Sequence, residues 1–308
     1  MNFDLTDDQV ALRDGIRNLL AGRFSMERVR AGFNRSMFDE LSEAGVFSLR
    51  ADGFSWADSV VVFEELGRAC VPGPLVGSAG ADGVVDVIEG RSGDTVWVEH
   101  IDSLDRLLIV GDDGLRELPI SSVFGESADW PLDPLTPATR VEPLPEGRLV
   151  GTLSDATRLV QELTLLTAAQ QVGLAAALVE MSVGYAMARE QFGRPIGSFQ
   201  AVKHMCAEMA VKAEVARAAV QAAACILDDP STGDVLRSIH GAKIVAGEAA
   251  IMNGRTATQV YGGMGFTWEV DVHLYLKRAW VLDTRFGSAD THADALAEML
   301  PSPERSSR

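Results

Sequence analysis

The chain has 308 residues, 47% hydrophobic and 23% charged, with 27 Lys and Arg against 44 Asp and Glu for a net charge of −17. That length can bury a large core and supports more than one structural unit. So acidic a balance argues against nucleic acid as a partner, because phosphate backbones select basic clusters. No apolar run reads as a transmembrane span, and the N-terminus lacks a basic stretch followed by an apolar one, so no membrane association and a cytoplasmic location are expected. Cys70, Cys206 and Cys225 are odd in number and without metal-ligand spacing, which suits reduced core thiols better than a disulfide or metal framework.

The first stretch, residues 1–75, reads as helical. Thr6-Asp7-Asp8-Gln9 fits a capping box, after which Leu12, Ile16, Leu19 and Leu20 recur on one face. Ser36 is expected to open a second helix that Gly45 ends, and Ser55-Trp56-Ala57-Asp58 a third that runs toward Gly67. Pro72-Gly73-Pro74 then stops helical structure.

Residues 76–152 change character. Thr95–Val98 and Leu107–Val110 have strand composition, and Asp112-Asp113-Gly114 predicts a hairpin leading into Leu115–Leu118. Prolines at 119, 131, 134, 137, 143 and 145 leave loops and edge strands. The expectation is a small, partly regular β insert.

Residues 153–300 are helical, Ala-rich and low in Pro. One pattern runs from Ser154 to Gln191, about 55 Å if unbroken. Others run from Ser198 to Asp228, from Ser231 to Tyr261, and from Glu269 to Met299, which together predict a four-helix bundle. Residues 301–308 read as a tail.

Two segments in this last region carry chemistry. Gln259-Val260-Tyr261-Gly262-Gly263-Met264-Gly265-Phe266-Thr267-Trp268-Glu269 breaks a helix with glycines that let backbone approach a ligand. Taken alone it reads as a helix C-cap and turn. Upstream stands Arg189-Glu190-Gln191-Phe192-Gly193-Arg194-Pro195-Ile196, followed by Phe199-Gln200. Together with Phe3-Asp4-Leu5-Thr6-Asp7-Asp8-Gln9 and Phe63-Glu64-Glu65-Leu66-Gly67-Arg68-Ala69, these segments resemble the acyl-CoA dehydrogenase family. The resemblance implies a mainly α fold with an N-terminal helical domain, a reduced middle β domain and a C-terminal four-helix bundle. It also implies FAD-dependent α,β-desaturation of an acyl-CoA thioester.

For the flavin dinucleotide, the resemblance points to Arg189, Gln191, Phe192, Gln200, Gln259, Gly262 and Gly263. A guanidinium fork suits the pyrophosphate, the aromatic ring packs on the dinucleotide, and the amides serve its polar edges. In the family these residues reach across an interface to a flavin held by a neighbouring subunit. Desaturation also needs a carboxylate base in a dry site. The usual family base stands in a Tyr-Glu-Gly-Thr sequence; here the matching segment is Arg285-Phe286-Gly287-Ser288, and phenylalanine cannot take a proton.

Glu248 is the remaining candidate base, flanked at helical spacing by Ile244, Val245, Ile251 and Met252, so a desolvated carboxylate of raised pKa is expected there. Its place thirteen residues before Tyr261 resembles the alternative base position of the isovaleryl-CoA dehydrogenase branch. The structural alternative is a buried Glu paired with a cation such as Arg255. Glu269 reads as structural or positioning. His273 has no second ligand at metal spacing, so no metal site is expected.

Between Val76 and Gly151 the chain lacks the family's Thr-Glu-Pro-type flavin loop, Gly-Ser-Asp substrate segment and Trp-Ile-Thr strand. A hetero-oligomer with a full-length acyl-CoA dehydrogenase-like subunit, two of each, is therefore expected, with an electron-transferring flavoprotein as acceptor. In the family a base serves its own subunit's flavin, so Glu248 would face a site whose flavin cradle is missing. Two alternatives are a catalytically silent partner that completes the FAD site and a flavin-free helical interaction protein. The Gly-Phe-Thr-Trp-Glu…His-Leu-Tyr-Leu-Lys-Arg wording resembles actinobacterial enzymes of steroid breakdown, although Lys277-Arg278 stands where most members have Arg-Asp.

Overall fold

The computed structural model describes residues 5–300; the expected tail, and the first four residues with Phe3 and Asp4 of the opening motif, lie outside the described residues. Helix α1 (Asp7–Arg23) starts at a reciprocal cap. The Thr6 hydroxyl accepts from the Gln9 amide at 3.2 Å, and the Gln9 side chain accepts from the Thr6 amide at 3.1 Å. Helix α2 (Met26–Arg30) is short. Helix α3 (Arg35–Glu43) is capped by Asn34 rather than opened by Ser36: the Asn34 side-chain Oδ1 accepts from the Met37 amide at 3.0 Å. The anticipated Ser55–Asp58 box opens α4 (Trp56–Arg68).

Seven strands follow, β1 (Val85–Glu89), β2 (Val96–Glu99), β3 (Arg106–Gly111), β4 (Gly114–Pro119), β5 (Glu126–Ser127), β6 (Ala138–Val141) and β7 (Arg148–Gly151). They form two sheets, ordered β1-β3-β4-β7 and β2-β6-β5. The β3–β4 hairpin is the anticipated one, with Gly111 opposite Gly114 across a two-residue loop. Strand β1 was not anticipated. It runs parallel to β3, buries Val85, Val87 and Ile88, and carries a fully buried Asp86 in its middle. A charge in a five-residue run hides a strand from composition; it is tolerated because Arg285, from the far end of the chain, pairs with it. The insert is thus more regular than expected.

The long helices are α5 (Leu153–Ala188), α6 (Gln200–Asp228) and α7 (Val235–Tyr261); a small ribbon, β8 (Glu190–Gln191) and β9 (Arg194–Pro195), joins the first two. The fourth member of the bundle is split into α8 (Val272–Thr284) and α9 (Ala289–Glu298) by the turn at 285–288. Helix α5 is long and apolar enough to cross a membrane, contrary to the sequence expectation, but 89% of its most apolar window is buried inside the bundle. It is the core helix.

Helix α4 meets α5 almost backbone to backbone. A Cβ on Gly173 would sit 1.9 Å from the Glu64 carbonyl oxygen, and one on Gly67 would sit 2.1 Å from that of Gln170. Within the bundle, Asn253 on α7 donates from Nδ2 to the Ala175 carbonyl at 3.1 Å and the Met209 carbonyl at 3.0 Å, tying α5 and α6 together through the core.

Candidate functional site

The two sequence segments singled out above meet at one end of the bundle. Tyr185, in the last turn of α5, stacks on Tyr261, the last residue of α7, with centroids 4.0 Å apart and planes 13° from parallel. The Tyr261 hydroxyl also donates to the Met181 carbonyl at 3.2 Å. Four residues beyond Tyr185 comes Arg189; one beyond Tyr261 comes Gly262. The Ile196 amide donates to the Arg189 carbonyl at 2.8 Å and closes the ribbon that presents Gln191 and Phe192. Gln200 then begins α6.

This surface is open. Arg189, Gln191, Gln200, Gln259, Gly262 and Gly263 are all exposed, and Phe192 is 92% exposed at a left-handed φ of 54°. Met187 and Phe266 are similarly bare at 71% and 83%. Gly262 has φ +61°, with nothing within 4 Å of where a Cβ would stand, so its backbone is free to be approached from outside. A cation, flat apolar groups, two amides and bare backbone suit a dinucleotide with its pyrophosphate and purine. The residues fit FAD in kind.

Glu248 lies elsewhere and does not have the expected surroundings. Its side chain is 62% exposed and pairs with Lys212 on α6 at 3.2 Å, not with Arg255. The buried stripe of α7 is rich in small residues, Ala242, Ala246, Gly247, Ala249, Ala250, Gly254 and Ala257, because close helix approach selects them, with Ile239, Lys243 and Asn253 among them. Glu248 shares the opposite face with Met252, Arg255 and Gln259. His273, also weighed above, packs edge-on against Trp268 at 4.6 Å, and Lys277 lies over the same indole.

At the segment matching the usual family base, the backbone turns at Phe286, φ 55°. On one side, toward β1 and β2, is a cavity of about 350 Å³ with Trp97, Glu89 and Glu99 on its wall. Arg285 closes its floor by pairing with Asp86 and donating to the Val87 carbonyl at 3.1 Å. On the other side is an apolar cavity of about 300 Å³ between α5, α7 and α9, lined among others by Val160, Ile239, His240, Phe286 and His292. It shares Leu153, Thr157 and Gln161 with a wider cleft of about 680 Å³ whose mouth carries Arg50, Trp56 and Arg158. The two make a stepped groove along the first third of α5, polar outside and apolar within.

The profile of the acyl-CoA dehydrogenase C-terminal domain matches residues 155–300. The acyl-CoA dehydrogenase IpdE2 of Mycobacterium tuberculosis is 30% identical over 301 residues, covering 89% of this chain and 91% of that protein. The chain belongs to the acyl-CoA dehydrogenase family. IpdE2 of Mycolicibacterium smegmatis is 32% identical, covering 89% of this chain and 93% of its own. Among solved structures, a chain of the ChsE4-ChsE5 complex of Mycobacterium tuberculosis superposes with a TM-score of 0.83 at 21% identity, covering 98% of this chain and all of that one.

Membership of this oxidoreductase family accounts for the resemblance and for the α–β–α order. The fold brings Arg189, Gln191, Phe192 and Gln200 together with Gln259, Gly262 and Gly263, and leaves Glu248 outside that group. Sequence reasoning missed the His240–His292 pair, because 52 residues separate the two and neither stands in a motif. It also missed Arg285 as the partner of Asp86, for the same reason.

Proposed function

We propose that this acyl-CoA dehydrogenase chain works as one subunit of a hetero-oligomer, two copies with two of a full-length family member, which desaturates an acyl-CoA thioester at its α,β bond with FAD. The observation that carries this reading is the open surface at the Tyr185–Tyr261 end of the bundle, where Arg189, Gln191, Phe192, Gln200, Gln259, Gly262 and Gly263 are left exposed by the described residues. The flavin supplies the hydride acceptor for the β-carbon. This chain's part is to hold the dinucleotide, with Arg189 on the pyrophosphate, Phe192 against the flat face and the Gly262–Gly263 backbone open to phosphate oxygens. The stepped groove suits the CoA ester, its nucleotide in the outer cleft, where Arg50 and Arg158 stand beside Asp228 and Glu162, and its acyl end inside.

The proton-abstracting carboxylate is assigned to the partner subunit, since Phe286 replaces the usual base and Glu248 is solvated. An electron-transferring flavoprotein is the proposed acceptor. The fold shared with a steroid acyl-CoA dehydrogenase, the Tcur3481-Tcur3483 complex, at TM-score 0.81 favours a steroid-derived acyl group. Two experiments test this. Arg189→Met in the reconstituted complex should lower FAD retention without unfolding the chain; full retention contradicts the assigned wall. Steroid-side-chain CoA esters should be turned over in preference to straight-chain esters; the reverse preference refutes the steroid assignment.

A further inference from the structure

Among the described residues, only Phe286 and Glu89 line both of the cavities that flank the 285–288 turn. Glu89 is exposed at the end of β1, so its carboxylate keeps its water. Phe286 is partly buried and packs against the core. Its ring is therefore the body between about 350 Å³ on the β2 side and about 300 Å³ between α5, α7 and α9. Thr157, Thr164 and Thr291 bring hydroxyls to the inner cavity, and all three are engaged. Thr157 donates to the Leu153 carbonyl at 2.9 Å and Thr164 to the Val160 carbonyl at 2.6 Å, while Thr291 shares a hydrogen bond with Ser288 at 3.1 Å. His240 and His292 bond to each other, and Gln161 also lines the outer cleft.

The turn that carries this ring is held from three sides. The fully buried Lys243 on α7 donates from Nζ to the carbonyls of Leu282 at 3.1 Å, Asp283 at 2.9 Å and Gly287 at 3.3 Å. All three ammonium donors are thus used on main chain that brackets Phe286. Arg285, fixed by its pair with Asp86, lies over the Phe286 ring, 5.0 Å from the centroid. His292 on α9 stands against Gly287, 3.1 Å from where a Cβ would be. Phe286 itself has φ 55°, a left-handed conformation that an aromatic residue keeps only where its surroundings impose it. Glycine or asparagine would meet that backbone at lower cost, so the phenylalanine is accounted for by its ring.

We infer, on the reading of the groove as the acyl-CoA site, that Phe286 is its end wall and sets how long an acyl group it accepts. An acyl group entering from the outer cleft runs along the first third of α5 and stops against the ring. Up to that point each added methylene leaves water for apolar surroundings. Beyond it, a longer chain must fold back toward solvent or push on a ring that the fastened turn does not release. Removing the ring joins the inner cavity to the Trp97 cavity and carries the acyl path on toward β2. The position that resembles the family's usual base then determines specificity instead of taking a proton.

A series of 3-thia-acyl-CoA esters of increasing length suits the test, because sulfur in place of the β-carbon leaves no hydride to transfer and binding is read without turnover. Calorimetric titration of the reconstituted complex should show affinity rising about fourfold per methylene, roughly 0.8 kcal/mol, up to a break. In the Phe286→Ala complex the break should move to longer chains, so that a probe about two methylenes past the wild-type break binds at least tenfold tighter than to wild type. In the Phe286→Trp complex it should move to shorter chains. Damage to the fold weakens every probe alike and moves no break, so opposite shifts in the two variants separate an end wall from a structural role. A break at the same length in all three complexes overturns Phe286 as the end wall, and so does a rise without a break in wild type. Absence of binding, or affinity independent of length in all three, overturns instead the groove as the acyl-CoA site, and this inference with it.

Discussion

Arg278 on α8 donates from Nε to the Asp133 carboxylate at 2.5 Å while its Nη1 donates to the Val71 carbonyl at 3.0 Å. Both side chains are buried, so one guanidinium joins the bundle to the β region and to the segment after α4. Burial alone would raise the Asp133 pKa, but the Arg278 charge and hydrogen bonds from Arg278, Leu135 and Thr136 hold it below the usual value. Here lies a physical reason for the departure at Lys277-Arg278 from the family's Arg-Asp: Arg278 is committed to structure.

Asp133→Asn leaves Arg278 buried without its counter-charge and should cost about 3–5 kcal/mol at pH 7. The sign with pH follows from the depressed pKa. The carboxylate's contribution is fully present above the unfolded value near ~3.9 and is lost as pH falls through the lower folded value. Urea denaturation from pH 8 to 3 should therefore show a constant gap between wild type and variant down to about pH 4, then a narrowing one. A gap that closes between pH 6 and 8 would contradict the assignment.

Gly173→Ala tests how α4 sits on α5. The added Cβ would overlap the Glu64 carbonyl and the Arg68 amide nitrogen, both main-chain atoms that cannot move alone. Helix propensity favours Ala by about 1 kcal/mol, yet overpacking should win and destabilise by about 3 kcal/mol. A stabilised variant in thermal unfolding would show that the two helices are further apart.

Glu248→Gln should leave turnover of the reconstituted complex unchanged and shift stability by less than about 0.5 kcal/mol, since it removes one exposed ion pair. Loss of turnover would restore Glu248 as the base.

What was legible in the sequence was local. The Thr6–Gln9 and Ser55–Asp58 caps each close within four residues, and the β3–β4 turn within three. The two family motifs meet at one end of the bundle, because Arg189 and Gly262 each end a helix whose last turn carries a tyrosine of the Tyr185–Tyr261 stack. What was illegible depended on distant partners. Strand β1 exists because Arg285 neutralises Asp86 199 residues away. The exposure of Glu248 was illegible because its large apolar neighbours suggest a buried face, whereas the packed face of α7 is mostly alanine and glycine.

On the proposed reading, this chain supplies one wall of a flavin site and a partner subunit supplies the other. The most direct test is FAD content with native mass, for the chain alone and for the chain co-purified with a full-length acyl-CoA dehydrogenase partner. The expected result is no FAD on the chain alone and FAD in a mixed assembly of two and two. Stoichiometric FAD on a homo-oligomer of this chain would contradict the account and make the β region, with its Trp97 cavity, a flavin cradle in its own right.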